Sequence, residues 1–238
     1  MSKLSPDSIQ QDQMWMQFAL AEAETAIYRT RPNPAVGCVI VKDHQIVGRG
    51  ATAPVGGSHA EVFALKQAGD QAQGATAYVT LEPCAHYGRT PPCANGLVEA
   101  GISRVVIACS DPNPLVAGKG VQILKNAGIE VLQGVCEAQA AAQNRGFLKA
   151  IATGMPYVRL KVASSLDGRT AMASGESKWI TGIEARQDVQ HWRAISGVVI
   201  TGIETVLADD CQLNVRQLDG IVDISMIVQP KRLVLDRQ

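Results

Sequence analysis

The run ATAYVTLEPCAHYGRTPPCANGLVEAGISRVVIACS, residues 75–110, holds two nearly continuous apolar segments, ATAYVTL and RVVIACS, on either side of CANGLVEAG. Apolar runs of this length read as strands buried on both faces, and CANGLVEAG between them reads as a helix. The same alternation continues outward. Downstream come a helix at GVQILKNAG (120–128), a strand at IEVLQG (129–134) and a closing helix at EAQAAAQNRGFLKAIATG (137–154). Upstream, MWMQFALAEAETAIY (14–28) has apolar residues at helical spacing, AVGCVIVKDHQIVGRG (35–50) reads as a hairpin turning at KDHQ, and HAEVFALKQAG (59–69) is a helix stopped by Gly69. Repeated strand–helix units predict a partly parallel sheet covered by helices on both faces.

Gly154 and Pro156 then interrupt the pattern, so we place a domain boundary there, with a first domain at 1–153 and a second at 154–238. In the second, YVRLKVASSLDGRTA (157–171) is expected to open with a strand and turn at Asp167–Gly168. A helix at TGIEARQDVQHWRAIS (181–196) and strands at GVVITG (197–202) and KRLVLDRQ (231–238) follow.

At 238 residues and 46% apolar content the chain can build a sizeable core. Twenty-two basic residues balance twenty-two acidic ones and aromatics make up 4%, which argues against a nucleic-acid surface and for a small-molecule partner. No stretch is apolar enough for a signal peptide or a membrane span, so a cytoplasmic protein is expected. In that reducing compartment the six cysteines are to be explained by metal ligation, catalysis or burial. Cys38 and Cys109, inside apolar runs, read as core residues.

The chemistry concentrates between His59 and Cys93. Cys84 follows a buried-type strand, at the end where open α/β sheets bind ligands; Cys93 opens the next helix, and His59 opens the helix before the strand. One imidazole and two thiolates form a three-ligand zinc set that leaves a fourth position open, as catalytic sites require. Glu61, two residues after His59, is the candidate proton shuttle. H-x-E followed by P-C-x-x-C is the general zinc-deaminase signature, and here eight residues rather than two separate the cysteines. Singly, each residue has a simpler explanation: a buried thiol, or a glutamate favouring a helix N-terminus. Jointly, their order along alternating elements favours the zinc reading.

Beyond this site, RPNPAVGCVIVKD (31–43), GSHAEVFAL (57–65), TAYVTLEPCAHYGRTPPC (76–93), DPNPLVAGKG (111–120), GFLKA (146–150), KVASSLDGRTAMASGESKWITG (161–182) and TVLADDCQLNVR (205–216) resemble the bacterial bifunctional riboflavin-biosynthesis deaminase/reductase family. The resemblance extends over nearly the whole chain. It implies a cytidine-deaminase-like three-layer α/β/α domain followed by a partial dihydrofolate-reductase-like α/β domain. The implied deaminase replaces the 2-amino group of 2,5-diamino-6-(5-phosphoribosylamino)pyrimidin-4(3H)-one by oxygen, and the implied reductase uses NADPH to convert the ribosyl side chain to ribityl.

Carried over, the resemblance makes His59, Cys84 and Cys93 zinc ligands and Glu61 the catalytic proton shuttle. Asn33 becomes a base contact, with His86, Arg89, Asp111 and Asn113 around the deaminase substrate. A Pro-Asn-Pro turn presents an amide with donor and acceptor, suited to a pyrimidine edge, although on its own it would read as an ordinary turn. In the second domain Ala163, Trp179, Thr205 and Asp209 are implied at NADPH, and Lys161, Ser177, Arg193, Leu213 and Arg216 at the sugar-phosphate substrate. A pair of arginines suits a phosphate dianion; Trp179 could equally be a core aromatic and Arg193 a solvated helix residue.

Two departures stand out: Arg31 before PNP, where the family more often has His, and Cys211 after ADD, where Pro is usual. The sequence ends at Gln238, before further strands, an acidic residue and a glycine-containing loop that the family uses for the NADPH pyrophosphate. Reductase turnover is therefore not expected of these residues, and the apolar strand edges of the second domain lead us to expect a homo-oligomer. Two alternatives compete with the riboflavin-precursor deaminase: a deaminase of another nucleotide or nucleobase, and a catalytically idle zinc-containing interaction module. Glu61, which would have no ligand role, argues against the idle module.

Overall fold

The computed structural model describes residues 6–85, 92–113, 117–218, 220 and 223–237. Two compact units divide the chain, Met1–Tyr157 and Val158–Gln238. The first holds helices α1 (Pro6–Ala26), α2 (Ala60–Ala68), α3 (Cys93–Glu99), α4 (Lys119–Asn126), α5 (Glu137–Gln143) and α6 (Arg145–Thr153). Its strands are β1 (Gly37–Lys42), β2 (Gln45–Ala51), β3 (Thr76–Leu81), β4 (Arg104–Cys109) and β5 (Glu130–Gln133).

These strands form one sheet in the order β2-β1-β3-β4-β5. β1 runs antiparallel to both β2 and β3, whereas β3, β4 and β5 are parallel. Because successive side chains point to opposite faces, each central strand supplies two cores. Cys38, Ile40, Ala77, Val79, Val105 and Ile107 pack beneath α2, α3 and α4. Val39, Val41, Tyr78, Val106 and Ala108 pack against Trp15, Met16 and Leu20 of α1 and Ala140 of α5. Cys38 and Cys109 are buried, and all six cysteines are free thiols.

A second link joins α1 to the sheet. Asp12, 2% exposed, accepts two hydrogen bonds from the Arg104 guanidinium at 2.7 and 2.8 Å and one from the Tyr78 hydroxyl at 3.0 Å. Helix α2 lies close on β2 because Gly50 has no side chain: a Cβ there would collide with the Ala60 carbonyl in the first turn of α2.

The single closing helix expected over 137–154 is two helices. Asn144, at φ −111° and ψ 20°, breaks it, and its side chain bonds instead to Ala35, 109 residues away. The second unit comprises α7 (Ile183–Ile195), β6 (Val198–Gly202), α8 (Ile203–Asp209) and β7 (Lys231–Leu235), with β6 and β7 parallel. The strand expected from Tyr157 does not form. Val158, Leu160 and Val162 are 77%, 86% and 60% exposed, and this run joins no ladder among the described residues; an extended segment without a hydrogen-bonding neighbour is not a strand. The turn after it is present, with Gly168 N–H bonding the Ser165 carbonyl at 3.0 Å. No helix of the described residues is long and apolar enough to cross a membrane.

Candidate metal centre and substrate loops

Each member of the His/Cys/Cys set sits at an element end. His59 occupies the N-cap of α2 in extended conformation, Cys84 follows β3, and Cys93 is the first residue of α3. Their ligand atoms all lie within 4.8 Å of one another. Nδ1 of His59 is the ring atom facing the sulfurs, 3.1 Å from Cys93 Sγ and 3.6 Å from Cys84 Sγ. The Cys93 backbone N–H donates to Cys84 Sγ at 3.3 Å. A cluster of one imidazole nitrogen and two sulfurs matches the donor preference of zinc, and soft thiolates disfavour hard cations.

The local electrostatics agree. Hydrogen bonding from Cys93, then from His59 and the Cys93 backbone, holds the Cys84 thiol well below its ordinary range, against the opposing effect of burial. The bond to Cys84, with burial next, pushes Cys93 up. Cys84 likewise raises the His59 imidazole, against the opposing effect of burial. Glu61 is 4% exposed in the first turn of α2. Burial raises its carboxyl above the usual value, partly countered by backbone hydrogen bonding, the His59 charge and a hydrogen bond with Cys93. Glu61 thus touches the cluster without belonging to it.

The register brings other candidate loops to the same end of the sheet. Leu81 pairs with Cys109, so the loop bearing Cys84 and the loop bearing Asp111 and Asn113 leave adjacent parallel strands side by side. Antiparallel β1 begins where β3 ends, with the Gly37 N–H donating to Thr80 Oγ1 at 3.0 Å, so the Asn33 loop enters there too. Asn33 is exposed, and its N–H bonds the Thr30 carbonyl at 2.9 Å. Asp111 is buried and accepts from the Asn113 N–H at 2.8 Å, which fixes the turn. His86 and Arg89 lie outside the described residues.

Sequence reasoning missed Glu82. Buried to 4% exposure, it accepts from the Gly118 N–H at 3.1 Å and the Val121 N–H at 3.4 Å, which caps α4 and ties the zinc-ligand loop to the Asn113 loop. Gly120 allows this approach, since a Cβ there would strike the Pro83 carbonyl. The glutamate preceding Pro-Cys was a visible signal, but its partner lay 36 residues downstream.

In the second unit Arg193 and Arg216 interact electrostatically. Arg193 is held below its ordinary value by burial first and by the Arg216 charge next, and it donates to the Asn214 carbonyl at 3.5 Å. The Arg216 N–H donates to Gln190 Oε1 at 3.0 Å, and Leu213 sits at φ 54° in the same segment. Trp179 is 74% exposed, with the Arg186 guanidinium 4.5 Å from its ring, so it is not a core aromatic. Asp209 lies 3.9 Å from Lys178. Ala163 is half-buried, whereas Lys161, Ser177 and Thr205 are exposed.

Residues 9–109 match the cytidine and deoxycytidylate deaminase zinc-binding region, and residues 156–238 match the RibD C-terminal domain. The riboflavin biosynthesis protein RibD of Haemophilus influenzae is 56% identical over 234 residues, covering 96% of this chain and 63% of that protein. Among solved structures, Acinetobacter baumannii RibD superposes with a TM-score of 0.92 at 73% identity, covering 97% of this chain and 64% of that one. The Thermotoga maritima diaminohydroxyphosphoribosylaminopyrimidine deaminase/5-amino-6-(5-phosphoribosylamino)uracil reductase superposes with a TM-score of 0.88 at 40% identity, covering 97% and 64%. The chain therefore spans about 63% of the length of the Haemophilus protein. With both halves matched and the His/Cys/Cys cluster in place, the chain belongs to the RibD family of riboflavin-biosynthesis proteins.

Proposed function

We propose that the first unit is a zinc-dependent hydrolytic deaminase of 2,5-diamino-6-(5-phosphoribosylamino)pyrimidin-4(3H)-one. The observation that carries this reading is the convergence of His59 Nδ1 and the two sulfurs within 4.8 Å, beside a buried carboxylate that none of them needs as a ligand. Zinc bound there would acidify water toward a pKa of about 7. Glu61 takes one proton from the attacking water and gives it to the ring nitrogen as the water oxygen bonds to the ring carbon, then moves the second proton from that new hydroxyl to the amine as the C–N bond breaks and ammonia leaves. A carboxyl raised by burial suits both halves of that transfer. Asn33 binds the pyrimidine edge through its amide, while Asp111 and Asn113 line the approach of the ribose phosphate; His86 and Arg89 are assigned to the same substrate by the resemblance alone.

The second unit, in this reading, contributes a reductase half. Ala163, Trp179, Thr205 and Asp209 contact NADPH, and Lys161, Ser177, Leu213, Arg193 and Arg216 contact the sugar-phosphate. The electrostatic interaction between Arg193 and Arg216 supports a phosphate position, because a dianion relieves the repulsion of two like charges. Six free thiols suit a reducing compartment such as the cytoplasm.

The test is ammonia release from the diaminopyrimidine phosphoribosyl compound, with metal content measured on the same sample. Release that follows about one zinc per chain, disappears on chelation and returns with zinc is the expected outcome. A folded, zinc-loaded chain that releases no ammonia from this compound but does so from deoxycytidylate would move the assignment to another nucleotide deaminase.

A further inference from the structure

We propose that Asn144 is a positioning residue for the deaminase, holding the loop that presents Asn33. The inference rests on the reading of Asn33 as a pyrimidine contact. Asn144 stands at the break between α5 and α6, 6% exposed. Its Oδ1 accepts from the Ala35 N–H at 2.8 Å and its Nδ2 donates to the Ala35 carbonyl at 2.8 Å. One planar amide thus satisfies both backbone groups of one residue, as a strand neighbour would.

The next two residues are tied as well. Val36 N–H donates to Thr52 Oγ1 at 3.0 Å while its carbonyl accepts from the Thr52 N–H at 2.9 Å, and Gly37 N–H donates to Thr80 Oγ1 at 3.0 Å. The backbones of three consecutive residues are therefore fixed by Asn144, Thr52 and Thr80, which come from three different parts of the chain. Asn144 holds the one nearest Asn33, two residues away.

A residue needed merely to end α5 would not have to face Ala35. Burying an amide is costly unless both its groups are paired, and here both pairs go to the loop rather than to the helix termini. Asn144 acts through Asn33: with the clamp gone, the Asn33 amide samples several orientations and binds the pyrimidine less well. Loss of such binding, shared by ground state and transition state, raises KM with little change in kcat.

The experiment compares Asn144→Ala and the milder Asn144→Asp with the parent chain, alone and combined with Asn33→Ala. Both variants are expected to keep zinc and to raise KM for the diaminopyrimidine substrate roughly tenfold or more, with kcat changed less than about threefold. Adding Asn144→Ala to Asn33→Ala should produce little further loss, because the clamp has nothing left to orient. A fall in kcat matching the lost folded fraction at unchanged KM, or full multiplication of the two losses, would overturn the proposal. Amide hydrogen exchange at Ala35 supplies a readout that needs no activity, and is expected to accelerate in both variants. If the parent chain fails to deaminate the substrate while exchange accelerates, the functional reading falls and the clamp on the loop stands. Unchanged exchange removes the clamp whatever the activity.

Discussion

Glu61 shows how much a single position can be asked to do. It is buried beside Cys93, where its carboxyl is raised, and it lies in the first turn of the helix whose N-cap is His59. Glu61→Gln removes the proton-transfer capacity while retaining shape, so the variant should fold, bind zinc at the parent stoichiometry and deaminate about 10²- to 10⁴-fold more slowly. Parallel metal analysis and ammonia assays check this. Cys84→Ser tests the opposite half of the site. Cys84 supplies one of the two sulfurs of the cluster, and replacing it by a hydroxyl should cost most of the bound zinc, read as metal content after dialysis. The cluster of His59, Cys84 and Cys93 was legible in the sequence because type and spacing identify it. Which ring nitrogen of His59 faces the sulfurs was not: Nδ1 is chosen by the way the N-cap turns its imidazole toward Cys93.

Between elements, close approaches and buried charges decide the packing. Gly120→Ala would drive a Cβ into the Pro83 carbonyl, separating α4 from the loop that carries Cys84. Overpacking of this kind typically costs about 1–3 kcal/mol, and here zinc affinity should fall with stability; urea unfolding and competition with a chelator measure the two. Asp12→Ala leaves the Arg104 guanidinium with Glu130 alone and strips the Tyr78 hydroxyl of its acceptor. Breaking such a pair should destabilise the first unit by about 3 kcal/mol, visible as a lower urea midpoint. The same contact carries a pH dependence. Burial first, and then the Asp12 charge and hydrogen bond, raise the Tyr78 phenol above its ordinary value of 10.0, so the folded state keeps a proton that the unfolded chain releases. That contribution is fully present below about pH 10 and is lost as pH rises further, so the parent midpoint should fall more steeply there than that of Tyr78→Phe. The strands were readable from their apolar runs, whereas the break at Asn144 was not, since local propensity through EAQAAAQNRGFLKA favours one helix and the competing bonds lie at Ala35.

At the scale of the whole molecule, two units with separate sheets share one chain, and the metal cluster belongs to the first. Metal that binds the folded state stabilises it by mass action, by about 2.7 kcal/mol at a free concentration one hundred times the dissociation constant. Scanning calorimetry with and without chelator should therefore show a lower transition temperature for the first unit's unfolding. The sequence by itself determined the α/β character, the alternation that buries β3 and β4 on both faces, and the residue types of the metal site, because periodicity and motif spacing are local properties that survive without a fold. Tertiary structure decided the strand order β2-β1-β3-β4-β5, the failure of the run from Val158 to form a strand, the cap that Glu82 places on α4 and the clamp of Asn144 on Ala35. Each depends on which distant backbone group meets a donor or acceptor, and that is settled when chain segments far apart in sequence come within hydrogen-bonding distance.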